Sequence, residues 1–136
     1  MTMLRKYEEI EDEYGRVVRY RRGEAGGLVA TGAEVADGAH IGAGAWVDPG
    51  ARVGAGARVG EHCWIEAGAV IGRGVQLARM VHVGQGAVIG AGTRVGARVT
   101  VGAGAHVEPR VVLPEEFRVP EGAVIVRGRG GQALAA

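Results

Sequence analysis

Four side chains able to do chemistry stand in a row in "VGEHCWIEAG": Glu61, His62, Cys63 and Trp64. Histidine is the commonest general base near neutral pH, and a carboxylate can orient an imidazole. A thiol can act as nucleophile, and an indole offers a flat surface to a ligand. Arg79, Met80 and His82 follow one after another, and Arg98 comes later. Whether these residues meet depends on the elements that carry them.

Those elements are unusually legible. From Val29, every sixth residue through Ile125 is valine, isoleucine or leucine, seventeen positions without an insertion. A hexapeptide period reads as a parallel β-helix. With the aliphatic residue as position i, position i+4 is usually alanine, as in Ala45, Ala51 and Ala57. It lies two residues before the next aliphatic, so both point to the same face of a strand. Position i+3 is often glycine, which takes positive φ cheaply at a corner. No single hexapeptide buries its aliphatic residue; stacked coils do, at about 4.8 Å per coil.

"IGAGAW", "VGAGAR", "IGRGVQ" and "IGAGTR" resemble the repeats of the bacterial transferase hexapeptide proteins. The resemblance covers Val29 to about Ile125. It implies an all-β, left-handed parallel β-helix with three hexapeptides per triangular coil, about five and a half coils in all, in a homotrimer. The closing "VPEGAVIVRG" resembles the last coil of hexapeptide transferases, without the "GNPA" that often follows there. The expected organisation is a short N-terminal strand or hairpin cap over 1–28, with a turn at Tyr14-Gly15-Arg16, a repeat region over 29–126, and a tail over 127–136.

With three hexapeptides per coil, residues eighteen apart stack. One corner then collects Gly44, His62, Met80, Arg98 and Glu116 at i+3, and Trp46, Trp64, His82, Thr100 and Arg118 at i+5. Both tryptophans, two of the four histidines and the single cysteine gather there. Strand geometry sets the Cα atoms of His62 and His82 roughly 8 Å apart, close enough to face one ligand. Glu61 stacks over Arg79 and can pair with it. A second stripe, His40, Arg58, Gln76 and Arg94, reads as a solvated face. A third, Val70, Val88 and Val124 beside His106, reads as covered by another subunit or partner.

The resemblance implies acyl transfer: a histidine, His82 or His62, deprotonates a hydroxyl or amine that attacks a thioester of coenzyme A or a carrier protein. Trp64, Met80 and Glu61 would line the site, and Arg79 or Arg98 would hold an anionic part of the donor. No cofactor is expected to stay bound; the thioester is a co-substrate. The unbroken register predicts a flat site formed by coils alone. Cys63 falls in the inward slot usually held by alanine, which disfavours a nucleophilic role. The alternatives are a non-catalytic structural or assembly module, in which the corner is only an interface, and a metal-dependent γ-carbonic-anhydrase-like protein. For the latter the "GHxxxxHG"-like signature is absent, and zinc needs three or four ligands.

A net charge of +1 over 136 residues gives no electrostatic reason for binding nucleic acid. One cysteine allows no intrachain disulfide. The start, "MTMLRKYEEIEDEYG", is charged and unlike a secretory signal. No window reaches the roughly 20 apolar residues of a membrane span. The expectation is a soluble, cytoplasmic protein.

Overall fold

The aliphatic register becomes a stack of very short strands. In the computed structural model, which describes residues 6–136, strands of mostly two residues recur every six positions from Leu28 to Arg127. They pair in parallel with partners eighteen residues away, as in Trp46↔Trp64, His82↔Thr100 and Ile71↔Ile89. The pairs sort into three sheets that form the faces of a parallel β-helix. The first face holds six parallel strands, from Leu28–Ala30 to Arg118–Val119, and so spans five full turns.

The inward residues behave as their period demands. From Val47 to Ile125 every register aliphatic is buried, with the i+4 residues Ala45, Ala51, Cys63, Val81 and Val99 between them. Burying each valine or isoleucine contributes about 1.5–3 kcal/mol against leaving it in water. Val29 and Val35 are only half-buried because no coil lies above them. Thr93 is the polar side chain inside; its hydroxyl donates to the Glu108 carbonyl (2.9 Å) and accepts from the Val111 amide (3.3 Å).

Coils are joined by backbone hydrogen bonds such as Trp46 N–H to Cys63 O (2.8 Å) and Trp64 N–H to Val81 O (2.9 Å). The corners take positive φ at i+3, mostly at glycine. Along one corner that conformation persists without glycine, at His62, Met80, Arg98 and Glu116, with φ of 57°, 58°, 59° and 64°. For residues with a Cβ this left-handed backbone costs roughly 1–2 kcal/mol each.

The aperiodic ends close two of the faces. Strand β1 (Tyr7–Glu11) and strand β2 (Val17–Arg22) form an antiparallel hairpin, and β2 pairs antiparallel with β3 (Leu28–Ala30), extending the first face upward. Asp12 organises the turn: its carboxylate accepts from the Tyr14 and Arg16 amides (2.9 and 2.8 Å). At the other end the chain turns at Arg129–Gly131, and Ala133–Ala135 pairs antiparallel with Val124–Arg127. The first five residues of the expected cap lie outside the described residues. No helix is long and apolar enough to cross a membrane among the described residues.

Candidate functional site

The first face carries the chemistry. Its outward residues run Trp46, Trp64, His82, Thr100 and Arg118 in register. Trp64 and His82 lie flat against one another, ring centroids 4.6 Å apart and planes 4° from parallel. The imidazole Nε2 meets Glu66 Oε2 at 2.5 Å. A carboxylate only accepts, so the proton between them sits on Nε2. No second hydrogen bond engages the His82 ring among the described residues, and the side chain is 37% exposed. In the neutral ring the lone pair then lies on Nδ1.

Trp64 is fixed at its other end. Its Nε1–H donates to Asp48 Oδ2 (2.8 Å), while Asp48 Oδ1 accepts from the Tyr20 hydroxyl (2.8 Å). Tyr20 in turn meets Trp46 edge to face, with centroids 5.0 Å apart. Burial, then the adjacent Asp48 carboxylate, pushes the Tyr20 phenol well above its ordinary range, so it stays a donor. The hairpin is thus tied through Asp48 to the indole that covers His82.

Between hairpin and coils lies a groove of about 420 Å³, lined by Ile10, Tyr20, Trp46, Asp48, Trp64 and the His62–Cys63 corner. This corrects the expectation of a flat site made by coils alone. Two aromatic or aliphatic walls, Tyr20 and Ile10, come from the hairpin.

The expected site residues divide into three sets. His62 and Trp64 line the groove, whereas His82 lies on the far side of Trp64, so the two histidines do not converge on one space. His62 instead rests its imidazole over Gly44, where a Cβ would collide with Nδ1. Glu61, Arg79 and Met80 are exposed at the corner, and no ion pair joins Glu61 to Arg79 among the described residues. Arg98 is bound to Glu116 (2.8 Å) and Glu115 (3.5 Å), which leaves its guanidinium committed. Cys63 is buried with Sγ 3.0 Å from the Ala78 carbonyl, and burial pushes its thiol up, away from thiolate chemistry. No three His, Cys, Asp or Glu side chains converge as metal ligands among the described residues.

Asp48, Glu66 and Tyr20 belong to the site but not to the corner that the eighteen-residue spacing assembles. A signal existed for the first two. Position i+1 is glycine in eight of the seventeen repeats, where the next backbone runs close beneath it; at Gly84 a Cβ would fall 2.5 Å from the Ala103 nitrogen. Three repeats carry an acidic residue there, and two of those, Asp48 and Glu66, stand one coil apart on the face that carries both tryptophans. Tyr20 lies in the aperiodic segment, where no register assigns it a neighbour.

Residues 38–73 match the family model for the bacterial transferase hexapeptide (six repeats), so this stretch is similar to that repeat. Among solved structures, the chain is similar to a hexapeptide transferase family protein from Anaplasma phagocytophilum, at 20% identity and a TM-score of 0.55. That match covers 81% of this chain and 77% of that one. The acetyltransferase domain of PglB from Neisseria gonorrhoeae FA1090, in complex with acetyl coenzyme A, matches at 21% identity and a TM-score of 0.45 over 82% of this chain. PerB from Caulobacter crescentus, in complex with CoA and GDP-perosamine, matches at 25% and 0.40 over 81%. The chain spans 58% and 56% of the length of those two proteins. The likeness is one of fold. No curated protein matches the sequence.

Proposed function

We propose that the protein is an acyltransferase that moves an acyl group from a thioester, of coenzyme A or a carrier protein, to a hydroxyl or amine on a small molecule. The observation that carries this reading is the His82–Glu66 pair held under Trp64. With Nε2–H donating to Glu66, Nδ1 accepts the proton of the attacking O–H or N–H. The new C–O or C–N bond forms as the thioester C–S bond breaks. The imidazolium, stabilised by Glu66, returns its proton to the departing thiolate. Trp64 holds the ring plane, and Asp48 holds Trp64. Of the two arginines considered for the donor's anionic part, Arg79 is the one without a side-chain partner among the described residues, so that role falls to it. The likeness of residues 38–73 to the transferase hexapeptide repeat supports the same class. A homotrimer in the cytoplasm completes the proposal, with Val70, Val88 and Val124 as an apolar stripe for subunit packing.

The test is direct. Acetyl-CoA is expected to raise the melting temperature. With a panel of amines and alcohols, His82→Ala is expected to lower turnover by at least about 100-fold while the assembly stays intact. Full turnover in that variant, or no thermal shift with any acyl thioester, overturns the reading.

The rival reading, a stacking scaffold, meets an obstacle in the fold. Continuing the parallel sheets from one molecule to the next is interrupted by antiparallel strands, β2 at the top of the first face and Ala133–Ala135 at the bottom of the second. A single discrete species by light scattering at high concentration excludes the scaffold; open-ended assemblies favour it.

A further inference from the structure

Asp48 stands out in the groove because no cationic side chain among the described residues pairs with it. Both carboxylate oxygens accept from neutral donors, Tyr20 Oη–H and Trp64 Nε1–H, each at 2.8 Å. A half-buried negative charge with hydrogen bonds but no counter-charge retains a field directed into its surroundings. Here those surroundings are aromatic. Tyr20 and Trp46 form one wall, edge to face. Trp64, stacked on His82 and 45% exposed, forms the other.

We propose that this groove binds the ammonium head of a small alkylammonium ligand. Electron-rich ring faces attract a cation, most strongly when the cation is poorly hydrated, as alkylated ammonium is. The carboxylate between the walls supplies the charge that a neutral apolar pocket lacks. A metal ion fits poorly, since the benzenoid and indole rings offer it no lone pairs and no three His, Cys, Asp or Glu side chains converge on it among the described residues. A neutral guest of the same shape fills the volume but leaves Asp48 unanswered. The roughly 420 Å³ of space suits a ligand of choline size with room beyond the head group. This inference concerns binding alone and stands whether or not His82 performs acyl transfer.

The experiment compares two probes of matched shape, choline and 3,3-dimethyl-1-butanol, in which carbon replaces the charged nitrogen. Binding is read from tryptophan emission and by isothermal titration, at constant ionic strength with sodium chloride. The unmodified protein is expected to bind choline saturably in the millimolar range or tighter, and the neutral isostere at least about tenfold more weakly. Asp48→Asn is expected to bring choline down to the level of the isostere. Failure of choline to saturate, or equal binding of the two probes by the unmodified protein, overturns the proposal. The two-probe comparison needs no variant, so it decides the matter even if Asp48→Asn folds poorly.

Discussion

The indole of Trp64 and the imidazole of His82 stack face to face across adjacent coils, 4.6 Å between centroids and 4° from parallel. The eighteen-residue alignment places them in register, and two carboxylates lock them: Asp48 holds the indole N–H and Glu66 holds Nε2. A half-exposed ring that would otherwise sample several rotamers is held in one plane.

Trp64→Leu removes that plane but spares the core, because the side chain points outward and is 45% exposed. We expect a loss of about 1 kcal/mol in stability and a larger proportional fall in kcat than in affinity for the thioester. Denaturant titration beside steady-state kinetics checks both. Unchanged kcat would remove Trp64 from the positioning of His82.

Tyr20 makes stability sensitive to alkali. Its phenol ionises at higher pH folded than unfolded, where the value is near 10. The neutral form is thus favoured by the fold: the contribution is complete below about pH 10 and is lost as pH rises beyond it. Denaturation midpoints followed from pH 8 to 11 should fall more steeply for the native protein than for Tyr20→Phe. In the variant the absorbance step of the late-ionising phenol at 295 nm should vanish.

His62 occupies a left-handed corner, φ 57°, that neighbouring corners give to glycine. His62→Gly should therefore raise stability by about 1 kcal/mol, shifting the melting temperature upward by a few degrees. If His82 is the base, the variant keeps its turnover. Gly44→Ala should act in the opposite sense, because the new methyl group meets the His62 ring on a backbone of φ 73°. We expect a loss on the order of 1–3 kcal/mol, relieved in the double variant with His62→Gly. A thermal-melt cycle over the four proteins measures that coupling.

Cys63 should behave as a filler. Burial raises its thiol and leaves it 1% exposed. Thiol reagents should label it slowly in the native protein and fast in denaturant. Cys63→Ala, which restores the residue common at that slot, should cost no more than about 1 kcal/mol and leave turnover unchanged. Rapid native labelling would show that the wall beside the groove opens.

The repeat made most of the fold readable. Seventeen aliphatic positions name the inward residues, and eighteen-residue spacing names the vertical neighbours; Trp46, Trp64 and His82 do stand in one column. The site was readable only in part. His62 and His82 appear as a pair by Cα spacing, yet one rests on Gly44 and the other lies under Trp64. Glu66 and Asp48 are carboxylates at a position where glycine is the commonest residue, a signal that points to an exception without naming its partner.

The sequence alone determined the period, the corners and the core, because a strand that buries alternate residues every six positions has few other ways to satisfy its backbone. Only the tertiary structure decided that the N-terminal hairpin docks antiparallel on β3 and brings Tyr20 onto Asp48 and Trp46. That docking turns a flat face into a groove. No local period encodes it: an aperiodic segment finds its place through side-chain contacts with residues distant in the chain, and the rotamers that make those contacts are chosen only once both surfaces are present.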